Sequence, residues 1–409
     1  MVTASDLRLP ESEIHALCNS VLRRESGEDL LEFFAAITWS VICEPGDAFA
    51  GQLITTFGAA SALALELSRT SAKEYVALFS EAGSDWLEMQ KFGRFERTLA
   101  DARERWHPRL SPSRVRQAVE AISALDGWFM TKDSEHWPVR LNDLGNHAPR
   151  GLWGLGKGQS NPERSLSVVG SRIATSYGEN STSELVGPMV SRGYTVISGG
   201  AYGIDAHAHR STLAVEGSTI AVMAGGLDRL YPSGNRELFK DIAARGLLLS
   251  ELPPGAEPTK WRFLQRNRLI AALGDATLLV EAHARSGAVS TANRAVDLSR
   301  PVGAVPGAIN SPGSDGCHQL IRDFKAQLIT CSADILELIG EGEGALTNTV
   351  EGLGALETRV LDVIGARIAD ISRICGEGGL TRSEAEVGIA SLSLLGLIDR
   401  DSSGWRRKL

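Results

Sequence analysis

Between Ser165 and Thr330, short apolar and β-branched runs alternate with longer stretches of helical spacing, and glycine stands at nearly every junction. The apolar runs predict strands near Leu166–Val169, Tyr194–Ile197, Thr219–Met223, Leu247–Leu249, Thr277–Glu281, Val302–Val305 and Gln327–Ile329. Helices are predicted between them, near residues 178–192, 206–216, 235–245, 263–273, 288–298 and 317–323. Strand, glycine turn and helix in repetition make an α/β fold, a parallel sheet covered on both faces. Ligands of such sheets bind at the carboxyl ends of the strands, where the loops gather.

The flanks read differently. Residues 1–112 carry a helical repeat, with Leu31–Ile42 as one helix and Ala50–Leu67 as the next. Glu44-Pro45-Gly46-Asp47 breaks the chain between them. This helical segment suits either a packing domain or a small module that touches nucleic acid. Residues 113–340 form the sheet domain, opening with a helix at Ser113–Leu125 and a short strand at Phe129–Met130. From Trp137-Pro138 to Gly156 the pattern is irregular. Glu341–Asn348 is acidic and glycine-bearing, and 341–352 reads as a linker. Residues 353–409 follow as three helices and a strand pair, the order of a winged helix. DNA binding, protein contact and a structural role all stay open for that segment.

Composition narrows the class. At 409 residues two or three domains are expected, and 43% hydrophobic with 22% charged residues describes a globular chain. No apolar run approaches the roughly 18 residues that a bilayer span requires. The start, MVTASDLRLPESE, lacks the basic and apolar regions of a secretory signal. Five scattered cysteines without a C-x-x-C pair suit reduced thiols, so a cytoplasmic site without membrane attachment is expected. The net charge of −8 opposes DNA binding by bulk charge, so contact with a polyanion requires a local patch.

Candidates for that patch lie at the strand ends. Gly170-Ser171-Arg172 follows the first strand of the sheet domain, where turn N–H groups and a guanidinium can grip a phosphate. Gly199-Gly200-Ala201-Tyr202-Gly203-Ile204-Asp205 is a second glycine turn, with Asp205 expected to cap the helix after it. TKWRFLQRNRLI (Thr259–Ile270) interleaves Lys260, Arg262, Arg266 and Arg268 with Trp261 and Phe263 and contains no acid. Charges for a backbone and flat faces for unpaired bases are what a single strand requires. Arg285-Ser286-Gly287 offers a further phosphate contact.

Other chemistries fare worse. Gly170 to Gly178 does not form G-x-G-x-x-G, and Ile197-Ser198-Gly199 stands where a ribose-binding acid belongs, so a dinucleotide cofactor is not expected. Lys157 in GLWGLGKGQS is followed by Gly158 rather than Ser or Thr, which excludes a P-loop. His207 and His209 do not share a helix face, which argues against a metal pair. Asp228, Glu251, Asp275 and Glu281 are carboxylates without a recognisable nucleophile beside them.

Taken together, VVGSRIATSYG, SGGAYGIDAHAHR, TIAVMAGGLDRLYP, LLSELPPG, FLQRNRLIAAL, VEAHARSGAVSTA, RPVGAVPG and GCHQLI make the chain resemble the bacterial DNA-processing protein A family (DprA, also called Smf). The resemblance covers about residues 165–330, with weaker similarity in HWPVRLNDL and APRGLWGLG upstream. It implies an extended Rossmann-like fold with a sterile-alpha-motif-like helical module before it and a winged helix after it. It further implies a homodimer that binds single-stranded DNA without a cofactor, protects incoming DNA in natural transformation and helps load RecA. On the family pattern Arg172 matches the basic residue of the DNA pocket, Arg266, Asn267 and Arg268 its R-N-R element, and Gly287 its S-G turn. Together with the candidates read from the residues themselves, the expected DNA-binding set is Gly170, Ser171, Arg172, Gly200, Gly203, Lys260, Arg262, Phe263, Arg266, Asn267, Arg268, Arg285, Ser286 and Gly287. Ser233 follows Tyr231-Pro232 where relatives often carry Lys, which leaves Arg229 or Arg236 as substitutes. Two other readings stand beside this one. The first is a nucleoside-monophosphate phosphoribohydrolase on a related fold, although EAHARSGAVSTA lacks the acid of P-G-G-x-G-T-x-x-E. The second is a RecA adaptor without direct DNA contact.

Overall fold

A computed structural model of the chain describes residues 2–22, 29–83, 92–341, 353–365, 368–401 and 403–408. The helical segment comprises α1 (Glu11–Val21), α2 (Leu30–Ile42), α3 (Ala48–Phe57), α4 (Ala59–Leu67), α5 (Ala72–Glu81), α6 (Phe92–Trp106) and α7 (Pro112–Ser123). Asp29 and Asp47 cap α2 and α3 by accepting from the free N–H groups of their first turns. The apolar positions then converge on an aromatic core in which Trp106 meets Trp39 edge-on at 5.2 Å and stacks on Phe49 at 5.9 Å.

The sequence predicts one helical run over Ala50–Leu67, and the structure divides it. Helices α3 and α4 meet at 111°. Gly58 between them has φ +83°, which an L side chain rarely adopts. Glu32 then reaches across from α2, and its carboxylate accepts from the N–H groups of Ala59 (2.7 Å) and Ala60 (3.2 Å). Hydrophobic spacing carries no mark of such a distant cap. Among the described residues no single helix is long and apolar enough to cross a membrane.

The sheet contains β1 (Trp128–Met130), β2 (Leu152–Gly156), β3 (Ser165–Val169), β4 (Thr195–Ser198), β5 (Thr219–Met223), β6 (Leu247–Ser250), β7 (Ala276–Leu279), β8 (Val302–Ala304) and β9 (Gln327–Leu328). The helices between them are α8 (Ser176–Ser191), α9 (Ile204–Ala214), α10 (Arg236–Arg245), α11 (Lys260–Leu273), α12 (Gly287–Asp297) and α13 (Asp315–Arg322), and α14 (Ser332–Ile339) follows β9. Strand order is β1-β2-β6-β5-β4-β3-β7-β8-β9, with β3 to β9 parallel. From β3 the chain winds one way through β4, β5 and β6, then returns to the far side of β3 as β7. The winding direction therefore reverses between β3 and β7, where an open α/β sheet has its natural crevice.

The parallel reading needs one correction. The stretch expected to be irregular up to Gly156 supplies β2, which pairs antiparallel with both β1 and β6 and makes the sheet mixed. Its glycines hid it. A Cβ at Gly154 would stand 2.2 Å from Trp128, so the strand is thin where the indole crosses it.

Buried side chains of the helical segment continue into one face of the sheet, with Phe33 against Phe129 and Phe129 against Trp153. Residues Met1–Gly340 accordingly form one compact unit, and the division expected at residue 112 falls within it, at the start of α7. Residues Glu341–Leu409 form a second unit. It consists of α15 (Ala355–Ile364), α16 (Ile371–Gly378), α17 (Arg382–Leu394) and an antiparallel hairpin of β10 (Ile398–Asp401) and β11 (Gly404–Arg407) around its own small core. Nearly all of the 341–352 linker expected from the sequence lies outside the described residues.

One buried group on α9 makes stability depend on pH. His209 is fully buried with Nδ1 2.7 Å from Thr219 Oγ1, and burial, aided by Arg266 and Arg210, draws its pKa down to about 3. Below an unfolded value of about 6.5, the unfolded chain binds a proton that the folded chain excludes. Stability is therefore expected to fall as pH drops from about 6.5 toward 3, by about 1.4 kcal/mol per unit for this group. Urea titrations at pH 7 and pH 5 on the parent and on His209→Gln measure it, and the variant should show the smaller difference.

Candidate nucleic-acid interface

Three loops meet at the β3/β7 crevice, and their backbones are tied together. Ser171 N–H donates to the Glu281 carbonyl at 2.7 Å, and Ile204 N–H donates to the Ser171 carbonyl at 3.1 Å. A Cβ at Gly203 would lie 2.2 Å from that Ser171 oxygen, so only glycine lets the two turns approach so closely. Thr259 starts α11 by accepting from Arg262 N–H, and Ser286 starts α12 by accepting from Val289 N–H. Between these elements opens a cleft of about 750 Å³.

Its chemistry centres on a buried cation. Arg266 is 5% exposed and donates through Nη1 to the Val222 carbonyl at 2.9 Å. Its Nε is buried without a hydrogen-bond partner, and no carboxylate lies within 4.0 Å of it among the described residues. Burial draws its pKa down to about 10, with Asp205 opposing and Arg172 assisting, so the group stays charged at neutral pH. A Cβ at Gly199 would sit 1.6 Å from Arg266 Nη1, which explains the glycine: the guanidinium occupies the space of a side chain. Phe263 carries two cations, with the Arg172 and Arg266 guanidinium carbons 5.1 and 5.7 Å from its ring centroid. Tyr231, half exposed, meets Phe263 edge-on at 5.9 Å.

Asp205 departs from its expected role. It lies inside the first turn of α9, which has no side-chain cap. Its buried carboxylate instead faces the N–H groups of Ala201 (3.4 Å), Gly170 and Gly199. Burial lifts its pKa above the ordinary carboxylate range, against the pull of Arg266 and those N–H groups. It organises the floor of the cleft.

The candidate residues separate into two groups. Gly170, Ser171, Arg172, Lys260, Phe263, Arg266, Asn267, Ser286 and Gly287 line the cleft. Asn267 donates to the Gly287 carbonyl at 3.2 Å and so ties α11 to α12. Gly200 and Gly203 shape the turn beneath, both with positive φ. Arg262 and Arg268 are not brought to the cleft. Arg262 pairs with Glu44 at 2.7 Å, and Arg268, 4% exposed, pairs with Glu251 at 2.5 Å. The basic stretch is helical from Lys260, three residues before the expected start, so its side chains point in different directions. Positions 263, 266, 267 and 270 share one face; 262, 265 and 268 lie on another, against the Glu44-Pro45-Gly46-Asp47 turn. Arg285 is exposed on the loop before α12 and is absent from the cleft lining. Arg229 pairs with Glu257 at 3.0 Å, and neither it nor Arg236 lines the cleft, so neither replaces the Lys of relatives there.

Sequence reasoning missed Gly199, Tyr231 and the placement of His283 on the cleft wall. Tyr231 had a signal, an exposed aromatic in a strand-end loop; Gly199 had none beyond its place in a glycine pair. The carboxylates noted earlier have structural partners. Glu281 accepts from Thr175 N–H and Oγ1, Asp275 holds Arg140 and Ser165, and Asp228 accepts from Gly255 N–H. His207 meets Ser183, whereas His209 meets Thr219.

Known proteins resemble the chain closely. Residues 128–340 match the profile of the DNA recombination-mediator protein A family. A Mycobacterium tuberculosis (strain H37Rv) protein assigned as DNA processing protein DprA is 39% identical over 313 residues, 72% of this chain and 80% of that one. Protein Smf of Synechocystis is 31% identical over 324 residues, 70% of this chain and 81% of its own. The X-ray structure of DNA processing protein A from Streptococcus pneumoniae superposes with a TM-score of 0.55 at 27% identity, covering 75% of this chain and 97% of that one.

The two fates of the arginines are separable by experiment. Arg268→Ala leaves Glu251 charged and largely buried, and a loss of about 3 kcal/mol is expected. Arg172→Ala, at an exposed position with no ion pair among the described residues, is expected to change stability by less than about 0.5 kcal/mol. Urea denaturation of both variants checks the contrast.

Proposed function

The chain belongs to the DNA recombination-mediator protein A family, and from that premise we propose that it is a non-enzymatic protein that binds single-stranded DNA in the β3/β7 cleft. The observation that carries this reading is the Arg172–Phe263–Arg266 cluster: two cations gather on one aromatic ring at the crevice of the sheet. Arg266 is held in a dry position with its charge unpaired at close range, so an incoming phosphate supplies the anion that the site lacks. Tyr231, half exposed at the cleft, offers a flat face to an unpaired base, which duplex DNA keeps stacked inside. Lys260 adds a mobile charge at the rim.

On this reading the protein receives single strands in the cytoplasm, protects incoming DNA during natural transformation and helps load RecA onto it, acting as a homodimer. The helical segment corresponds to the family's sterile-alpha-motif-like module and the C-terminal unit to its winged helix. No nucleotide cofactor takes part in the binding.

Salt-dependent affinity for a fluorescent oligothymidylate tests the site. Arg172→Ala and Arg266→Ala should each weaken binding and reduce the slope of log K on log salt by about 0.7, the value for one phosphate on a single strand. Gly199→Ala should act like Arg266→Ala by pushing the guanidinium off its seat while leaving the chain folded. Parental affinity and slope in all three variants would remove the cleft from the DNA path.

A further inference from the structure

A second cleft, of about 880 Å³, adjoins the first. Thr259 borders both. The next residues then part company, because Lys260 lines the first cleft while Trp261 and Arg262 line the second. The far wall comes from the helical segment, which contributes Arg109, Arg114 and Gln117.

The acids of this second cleft are already engaged. Glu44 is held by Arg109 at 2.8 Å and by Arg262 at 2.7 Å. Glu257 lies 3.0 Å from Arg229, and Asp228 accepts from Gly255 N–H at 2.8 Å with Arg229 at 3.7 Å. Arg114 is exposed and pairs with no carboxylate among the described residues. Arg109, Arg114 and Arg262 match Glu44, Asp228 and Glu257 in number within the lining; with Arg229 beside them the excess is one cation, and Lys260 adds a second where the clefts meet. Trp261 is 57% exposed, leaving much of a wide apolar ring in water beside those cations. A ring so placed meets the requirement of an unpaired base: a flat partner with phosphate-binding charge within reach.

Resting on the reading of the first cleft, we propose that the same single strand continues past Thr259 into the second cleft, stacking a base on Trp261 and setting a phosphate at Arg114. The helical segment thereby becomes part of the DNA track, and the footprint exceeds what the sheet alone accommodates. The occupant is nucleic acid because the two clefts are contiguous and both carry unpaired cations beside exposed rings.

The test compares oligothymidylates of about 4 and about 16 nucleotides, the limits over which a single-strand groove commonly extends, on the full-length protein by fluorescence anisotropy. The double variant Arg114→Ala/Trp261→Ala should bind the short oligonucleotide as the parent does and lose about tenfold on the long one, the scale of one stacked base. Arg114→Lys/Trp261→Phe should recover most of that loss, because it keeps a charge and a ring. Equal losses on both lengths would overturn the proposal, since the residues would then serve the first cleft or the fold. No loss on either length would also overturn it and leave the second cleft to a protein ligand. Failure of the parent to bind either oligonucleotide would instead overturn the reading of the first cleft, and this one with it.

Discussion

A guanidinium held away from water without a carboxylate at close range is the constraint on which this molecule turns. Burying a charge is costly unless its surroundings compensate. Arg266 is compensated in parts, by the Val222 carbonyl, by the face of Phe263 and by the field of Asp205 across the floor. Each part fixes something else. Gly199 must lack a side chain, Phe263 must sit on the same helical face, and Asp205 must be buried where the N–H groups of Gly170, Gly199 and Ala201 gather. Among the described residues no carboxylate lies within 4.0 Å of Arg266, which separates it from the ion pair of Arg268.

Arg268, two residues along, shows the other outcome. Its partner Glu251 also accepts from Gly46 N–H, so the pair fastens α11 to the turn between α2 and α3. Arg262 does the same through Glu44. One helix thus uses Arg262 and Arg268 to dock on the helical segment and turns Arg266 toward the crevice. These ion pairs add to the apolar contact of Phe33, Phe129 and Trp153 through which the helical segment shares a core with the sheet. They also fix the start of α11, where the two clefts meet.

The net charge of −8 is consistent with this arrangement. Under the proposed reading, attraction to a polyanion needs only a local positive field at the binding edge. On the proposed reading, Arg172 and Lys260 address phosphates and Tyr231 a base face, neither of which differs enough between bases to impose a sequence.

Much of this was legible in the residues. The alternation of apolar runs and helical repeats located every parallel strand and the helices between them to within a few positions, because each element buries a face whose period the chain must carry. Composition identified the basic stretch, and turn chemistry identified the glycine loops. Three things were not legible. Strand β2 was masked by glycines that make room for Trp128, the helix break at Gly58 depends on a carboxylate from another helix, and Asp205 serves loops rather than its own helix. The sequence by itself determined the parallel strands, the helices between them and which of these carry cations and rings, since these follow from local period and residue type. Only the tertiary structure decided which arginines are spent on internal acids and which remains unpaired at the crevice, since that depends on neighbours more than 200 residues away for Arg262 and 44 away for Arg266.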